Sequence, residues 1–140
     1  MNLMRRGLFK LEKGALIMPK MRLHNIVLDC RDAQALSDFY AKLLGWEKDA
    51  SEPEWIMVKS PDSTVNLLFQ QDEDYVPPVW PEHPGCQQKS VHLDISVENL
   101  EEGVAYALSC GAKKAETQFA PWWTVMIDPE GHPFCLGEWG

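Results

Sequence analysis

The sequence predicts an α+β domain assembled from two copies of one strand-helix-strand-strand-strand unit. Two observations carry the prediction. Hydrophobic periodicity runs through the same order of strand and helix patterns twice. Matching residues also recur at a fixed spacing: His24 and His92, Pro61 and Pro129, and Gln70 and Glu138 each lie 68 residues apart. The glycines that end the two helical patterns, Gly45 and Gly111, lie 66 apart, so the connections differ by two residues. Such repetition implies two units that bury together a face neither could bury alone.

In the first unit, residues 22–29 (RLHNIVLD) read as a strand and 32–45 (DAQALSDFYAKLLG) as a helix. Leu36, Tyr40, Leu43 and Leu44 recur at helical spacing, Asp32 can cap the start and Gly45 can end it. Strands are expected at 46–49, 55–59 and 64–70, the last two joined by a Ser-Pro-Asp-Ser turn. In the second unit, 91–97 (VHLDISV) reads as a strand. Residues 99–111 read as a helix with an Asn99/Glu102 capping box and an apolar stripe of Leu100, Val104, Ala107 and Leu108. Strands at 113–116, 123–127 and 133–138 complete it. The organisation expected is an extension over 1–20, a first module over 21–70, a Pro-rich connector over 71–90 and a second module over 91–140.

Thirteen basic against twenty-one acidic residues give a formal charge of −8, which repels a phosphate backbone or an anionic membrane and argues against both as partners. Cys30, Cys86, Cys110 and Cys135 show no paired spacing, as expected of reduced thiols in a cytoplasm. The apolar run Ala15 to Met18 is too short for a signal-peptide core or a membrane span, so residues 1–20 read as an appendage without export or anchoring.

The duplicated unit, with HNIVLDCRDAQALSDFYAKLLGW, VHLDISVENL and DPEGHPFCLGEW, resembles the vicinal oxygen chelate superfamily over residues 21 to 139. That superfamily contains glyoxalase I, extradiol dioxygenases and bleomycin-resistance proteins. YVPPVWPE and DPEGHPFCL are similar to stretches of its bacterial glyoxalase-like subgroup. The resemblance implies paired βαβββ modules whose curved mixed sheets form a cup with the helices outside, a small-molecule ligand, and a homodimer in which modules pair within one chain or swap between two.

Residues two apart on a strand share a face. His92, Asp94 and Ser96 are therefore expected to look into the cup, with Leu93, Ile95 and Val97 under the helix. By the same alternation Glu138 goes with Leu136 and Phe134, Gln70 with Leu68 and Asn66, and His24 with Ile26 and Leu28. The 68-residue spacing places His24, Gln70, His92 and Glu138 at equivalent points of the two halves, and these four positions resemble the metal ligands of the superfamily. Imidazole, carboxylate and amide oxygen suit a divalent ion such as Zn, Ni, Mn or Fe. A strand histidine that merely hydrogen-bonds is the plainer alternative, and many superfamily members lack the metal. Gln70 stands where bacterial glyoxalase I has a glutamate.

Asp94 either orients a ligated His92, binds a polar substrate group, or is simply solvated. His132 reads as turn chemistry and His83 as a loop residue. Tyr75 and Trp80, in the stiff connector QDEDYVPPVWPEHPG, are candidates to cover the cup. Of Trp122 and Trp123, one should face the core and the other reach the cup. The candidate substrate-binding set is thus Asn66, Tyr75, Trp80, Asp94, Trp122 and Phe134, with Glu138 as catalytic candidate. Two functions follow. One is metal-dependent lyase, isomerase or dioxygenase chemistry on a substrate with vicinal oxygens, Glu138 remaining a ligand or moving a proton. Glutathione binding would want arginines, and past the extension there are only Arg22 and Arg31; a dioxygenase would want a third histidine or a tyrosine for acid-base work. The other is a sequestering protein like the bleomycin-resistance proteins, for which six tryptophans and a charge of −8 suit an aromatic cation.

Overall fold

The computed structural model describes residues 8–11, 14–62 and 64–140. Residues 1–7 and 12–13 of the expected extension, and Ser63 of the Ser-Pro-Asp-Ser turn, lie outside the described residues. Within the extension the backbone forms an antiparallel pair, β1 (Leu8–Leu11) with β2 (Gly14–Ile17).

The first module runs β3 (Asn25–Cys30), α1 (Ala33–Leu44), β4 (Glu47–Glu52), β5 (Trp55–Lys59) and β6 (Asn66–Gln71). The second runs β7 (Leu93–Ser96), α2 (Leu100–Cys110), β8 (Lys113–Lys114), β9 (Trp123–Ile127) and β10 (Pro133–Gly137). Strand orders are β3-β6-β5-β4 and β7-β10-β9-β8, each with one parallel pair, β3 with β6 and β7 with β10. Among the described strands no hydrogen-bonded pairing joins the two sheets, so they meet as two leaves and do not close.

Caps set both helices. The Asp32 side chain accepts from Ala35 N (3.0 Å) and the Asn99 side chain from Glu102 N (2.9 Å), which satisfies N–H groups that have no partner inside a helix. Gly45, at φ 68°, ends α1 in the left-handed conformation that a side chain would resist.

One core serves both modules. Leu36, Phe39 and Tyr40 of α1 pack on Ile56, Val58, Leu67 and Phe69 of their own sheet, and Phe134 and Leu136 of the second sheet join the same cluster. Tyr40 stacks on Phe69 at 5.4 Å, and Phe134 lies edge-on to Phe39 at 6.1 Å. Burying several aromatic rings against each other gives the two units their common stabilising face. The helices lie on this side, and the opposite faces of both sheets are left open.

The repeat has a different register from the one its histidines suggest. Ile26 pairs with Leu67 and Leu93 pairs with Phe134; Leu28 pairs with Phe69 and Ile95 with Leu136. Corresponding members of these pairs are 67 residues apart, as are the helix caps Asp32 and Asn99. Because strand faces alternate, an odd spacing in place of an even one reverses which side chains are equivalent. Burial of apolar side chains under the helices sets the register, and the polar residues follow from it.

Candidate functional site

The open face of the second sheet carries the densest chemistry. With Leu93, Ile95, Phe134 and Leu136 committed to the core, Asp94 and Cys135 must point the other way, and they sit directly opposite each other in the parallel pairing of β7 with β10. His92 enters just ahead of β7 on the same face, its Nε2 3.4 Å from Asp94 Oδ1. Ligand atoms of His92, Asp94 and Cys135 all lie within 4.8 Å of one another.

Tryptophans wall this trio. Trp123 and Val125 flank Cys135 on β9, and Trp80 packs from the connector against the same small cluster. The Trp80 indole N–H donates to Thr117 O (3.2 Å), and its ring meets Phe119 edge-on at 5.6 Å. Trp139 folds back over Gly137, where even a Cβ would come within 2.6 Å of the indole. A glycine is what lets the ring approach. A cavity of about 340 Å³ lies among Trp80, Trp122, Trp123, Trp139 and the trio. Lys89 lines it as well, with Nζ 5.0 Å from the Trp80 ring centroid and paired with Glu82.

A second cavity, of about 410 Å³, continues from the first through His92, Lys89 and Pro133 into the seam between the leaves. It is touched by consecutive residues Ile26 to Asp29 of β3 and by the chain leading into β7, so it abuts the unpaired edges of both strands. Its far end holds Tyr75 and His132. There the buried carboxylate of Asp128 accepts from Tyr40 OH (2.8 Å) and faces His132 Nδ1 (2.7 Å).

Electrostatics distinguish the two ends. Burial, then the charge and hydrogen bond of Asp94, push the Cys135 thiol up to about 11, so at neutral pH the sulfur keeps its proton. Burial pulls the pKa of His132 down, but the hydrogen bond and charge of Asp128, the Asp29 carbonyl and Glu130 outweigh it and leave a net upward shift.

The residues expected from sequence are distributed as follows. His92 and Asp94 come together with Cys135. His24 is exposed ahead of β3, where Arg22 reaches its Nδ1 at 3.3 Å. Gln70 sits on the open face of the first sheet, opposite Trp55. Glu138 turns toward α2, and its Oε2 accepts from Leu100 N at 2.9 Å, an anion at a helix N-terminus. It lines a groove with Asn99, Leu100 and Glu101. Among the described residues, His24 and Glu138 belong to no three-member cluster of ligand atoms with His92. The register explains the difference: Glu138 follows the Phe134 and Leu136 face, which is the helix side. Phe134 itself is fully buried in the core. Asn66 Oδ1 turns back to accept from Ser60 N (3.0 Å). Tyr75 reaches the seam cavity and Trp80 the tryptophan cavity. Neither Trp122 nor Trp123 enters the core beneath the helices: Trp122 is 68% exposed at the turn before β9, and Trp123 lies on the open face.

Sequence reasoning passed over Cys135, Lys89 and Trp139. Alternation sets Cys135 on the face opposite Phe134 and Leu136, but its meeting with Asp94 rests on the pairing of β10 with β7.

The family model of the glyoxalase-like domain matches residues 25–137. A comparison with curated proteins finds no significant match. Among solved structures, a glyoxalase/bleomycin resistance protein/dioxygenase family enzyme from Burkholderia phytofirmans PsJN is similar at TM-score 0.64 and 17% identity, covering 83% of this chain and 97% of that one. A glyoxalase/dioxygenase from Nostoc punctiforme is similar at TM-score 0.62 and 18% identity, covering 82% and 88%. TnmS3, an antibiotic binding protein from Streptomyces sp. CB03234, is similar at TM-score 0.57 and 18% identity, covering 86% and 97%. At these identities the likeness is one of fold.

Proposed function

Since this chain belongs to the glyoxalase-like domain family, we propose that it binds a small molecule in the groove formed by the tryptophan cavity and the seam, with His92, Asp94 and Cys135 as a divalent-metal site at its centre. The observation that carries the reading is the convergence of an imidazole, a carboxylate and a thiol within 4.8 Å on a tryptophan-walled surface. The donor set fits a borderline ion such as Zn better than Mn, and three protein ligands leave a position for a ligand or water. The raised thiol pKa belongs to the metal-free site, and a cation there would take the place of the proton shared with Asp94. When bound, such an ion supplies Lewis-acid polarisation of a substrate with vicinal oxygens, the route to lyase, isomerase or dioxygenase chemistry.

The residues of the chain do the rest. Trp80, Trp123 and Trp139 supply apolar walls beside the trio, whose His92 and Asp94 stay open to solvent and to a ligand. Lys89, held over Trp80, is placed to meet an anionic group of the ligand. Glu138, committed to Leu100, takes no part in proton movement in this account.

A second reading is metal-free sequestration of an aromatic cation, favoured by the same four tryptophans. Elemental analysis of protein purified without an affinity tag or chelator, followed by titration with Zn, Ni, Mn and Fe(II) under a tryptophan-fluorescence readout, separates the two. Saturable binding near one equivalent, lost in His92→Ala, supports the metal site. No uptake of any of the four, with tight binding of aromatic cations, supports sequestration.

We further propose a homodimer, because Trp55 and Val27 on the open face of the first sheet, and Val91 ahead of β7, leave apolar surface exposed. A monomeric mass in light scattering would exclude it. A reducing compartment such as the cytoplasm suits the four free cysteines, and no helix among the described residues is long and apolar enough to cross a membrane.

A further inference from the structure

We propose that His132 is a protonation-dependent pin between the modules: as an imidazolium it ties the β9–β10 turn to β3, and loss of its proton loosens the seam that bounds the cavity between the leaves. Each ring nitrogen faces an oxygen that can only accept, and Nε2 meets the Tyr75 hydroxyl (3.1 Å) as well. Nδ1 lies 2.7 Å from Asp128 Oδ2, and Nε2 lies 2.8 Å from the Asp29 carbonyl. A neutral imidazole carries one N–H and would turn a lone pair toward one of these oxygens, so the cation is the form that satisfies both.

The surroundings enforce the same state. The Asp128 carboxylate is 3% exposed and takes four donors: Tyr40 OH on Oδ2, the backbone N–H groups of Glu130 and His132 on Oδ1, and the imidazole. A buried carboxylate wants a counter-charge beside it, which the His132 imidazolium supplies. Tyr75, from the connector, donates to Glu130 O (3.1 Å), which leaves its oxygen to face His132 Nε2 at 3.1 Å. Glu130 on the turn accepts from Arg31 N (2.9 Å) after β3 and adds negative charge nearby. From β3 the groups present are the Asp29 carbonyl and the Cys30 thiol, which is itself held protonated by burial and the surrounding carboxylates; from α1 the group is Tyr40. Asp72 and Asp74 stand along the same cavity. Among the described strands β3 and β7 share no hydrogen-bonded pairing, so these polar contacts, together with the apolar core, set the width of the slit.

The shift is consistent in sign with the geometry. A folded-state pKa raised above the ordinary histidine value of about 6.5 gives a contribution that is complete below that value and is lost as pH rises through the folded pKa. The seam is therefore tight below the ordinary histidine value and loosens as pH rises through the raised folded pKa.

The test is a titration of the full chain labelled with 15N in histidine, assigning His132 as the signal missing from His132→Gln. Both ring nitrogens should read as protonated at neutral pH and shift together on the alkaline side of the ordinary histidine range. Protection of the Val27 and Leu93 amides, taken relative to the intrinsic base-catalysed rate at each pH, should fall over the same interval and be low at every pH in His132→Gln. A neutral tautomer at neutral pH overturns the proposal, as does exchange at the seam that ignores the titration. Should the variant not fold, assignment of the wild-type spectrum by sequential connectivity keeps both readouts.

Discussion

Tyr40 and Glu138 show how a single polar atom decides a role. The Tyr40 hydroxyl is fully buried and donates to a carboxylate that is buried too, so Tyr40→Phe leaves Asp128 one donor short. We expect a loss of about 1–3 kcal/mol in urea unfolding, since a buried charged acceptor without its donor bears the desolvation cost alone. Glu138→Ala removes the anion from the N-terminus of α2 and should cost about 0.5–1 kcal/mol, seen as a lower thermal midpoint, with metal stoichiometry unchanged. A loss of metal on that substitution would return Glu138 to the site. At this scale the sequence was only partly legible. Alternation along one strand was enough to put His92 and Asp94 on a common face, whereas the approach of Cys135 to Asp94 depends on which residues of two distant strands pair.

Elements were easier to read than residues. The helices were legible from Asp32, Gly45, Asn99 and Gly111, and β5 and β9 as short, mostly apolar runs, because capping and periodicity are local. The register between repeats was not. A spacing of 68 matched the histidines and prolines, while the paired strands obey 67, and one residue is enough to send Glu138 to the helix side. Close packing of α2 on its strand gives a further prediction. A Cβ on Gly103 would stand 2.8 Å from Val97 Cγ1, so Gly103→Ala should lower the thermal midpoint even though alanine favours a helix by about 1 kcal/mol over glycine. Val97→Ala in the same chain should recover part of the loss. An unchanged or raised midpoint in the single variant would show that Val97 moves aside freely.

At the scale of the whole molecule, the two modules share one core on the helix side and stay separate on the other, where the leaves do not pair. This division puts the shared core and the candidate site on opposite faces. Large apolar side chains hold the modules together beneath the helices, while tryptophans, the His92 trio and the His132 network line the open side and the seam. The general architecture could be read from duplication, because repeated units must bury a common face. The shape of the groove could not, since it depends on where the connector lays Tyr75 and Trp80 and on the return of Trp139 over Gly137.

Cobalt(II) titration tests the central claim most directly, because a thiolate bound to cobalt gives a near-ultraviolet charge-transfer band that a carboxylate or imidazole does not. The account predicts that band in the wild type and in Glu138→Ala, and its loss in Cys135→Ser. A band that survives Cys135→Ser, or cobalt binding that disappears with Glu138 while Cys135 is intact, would contradict it.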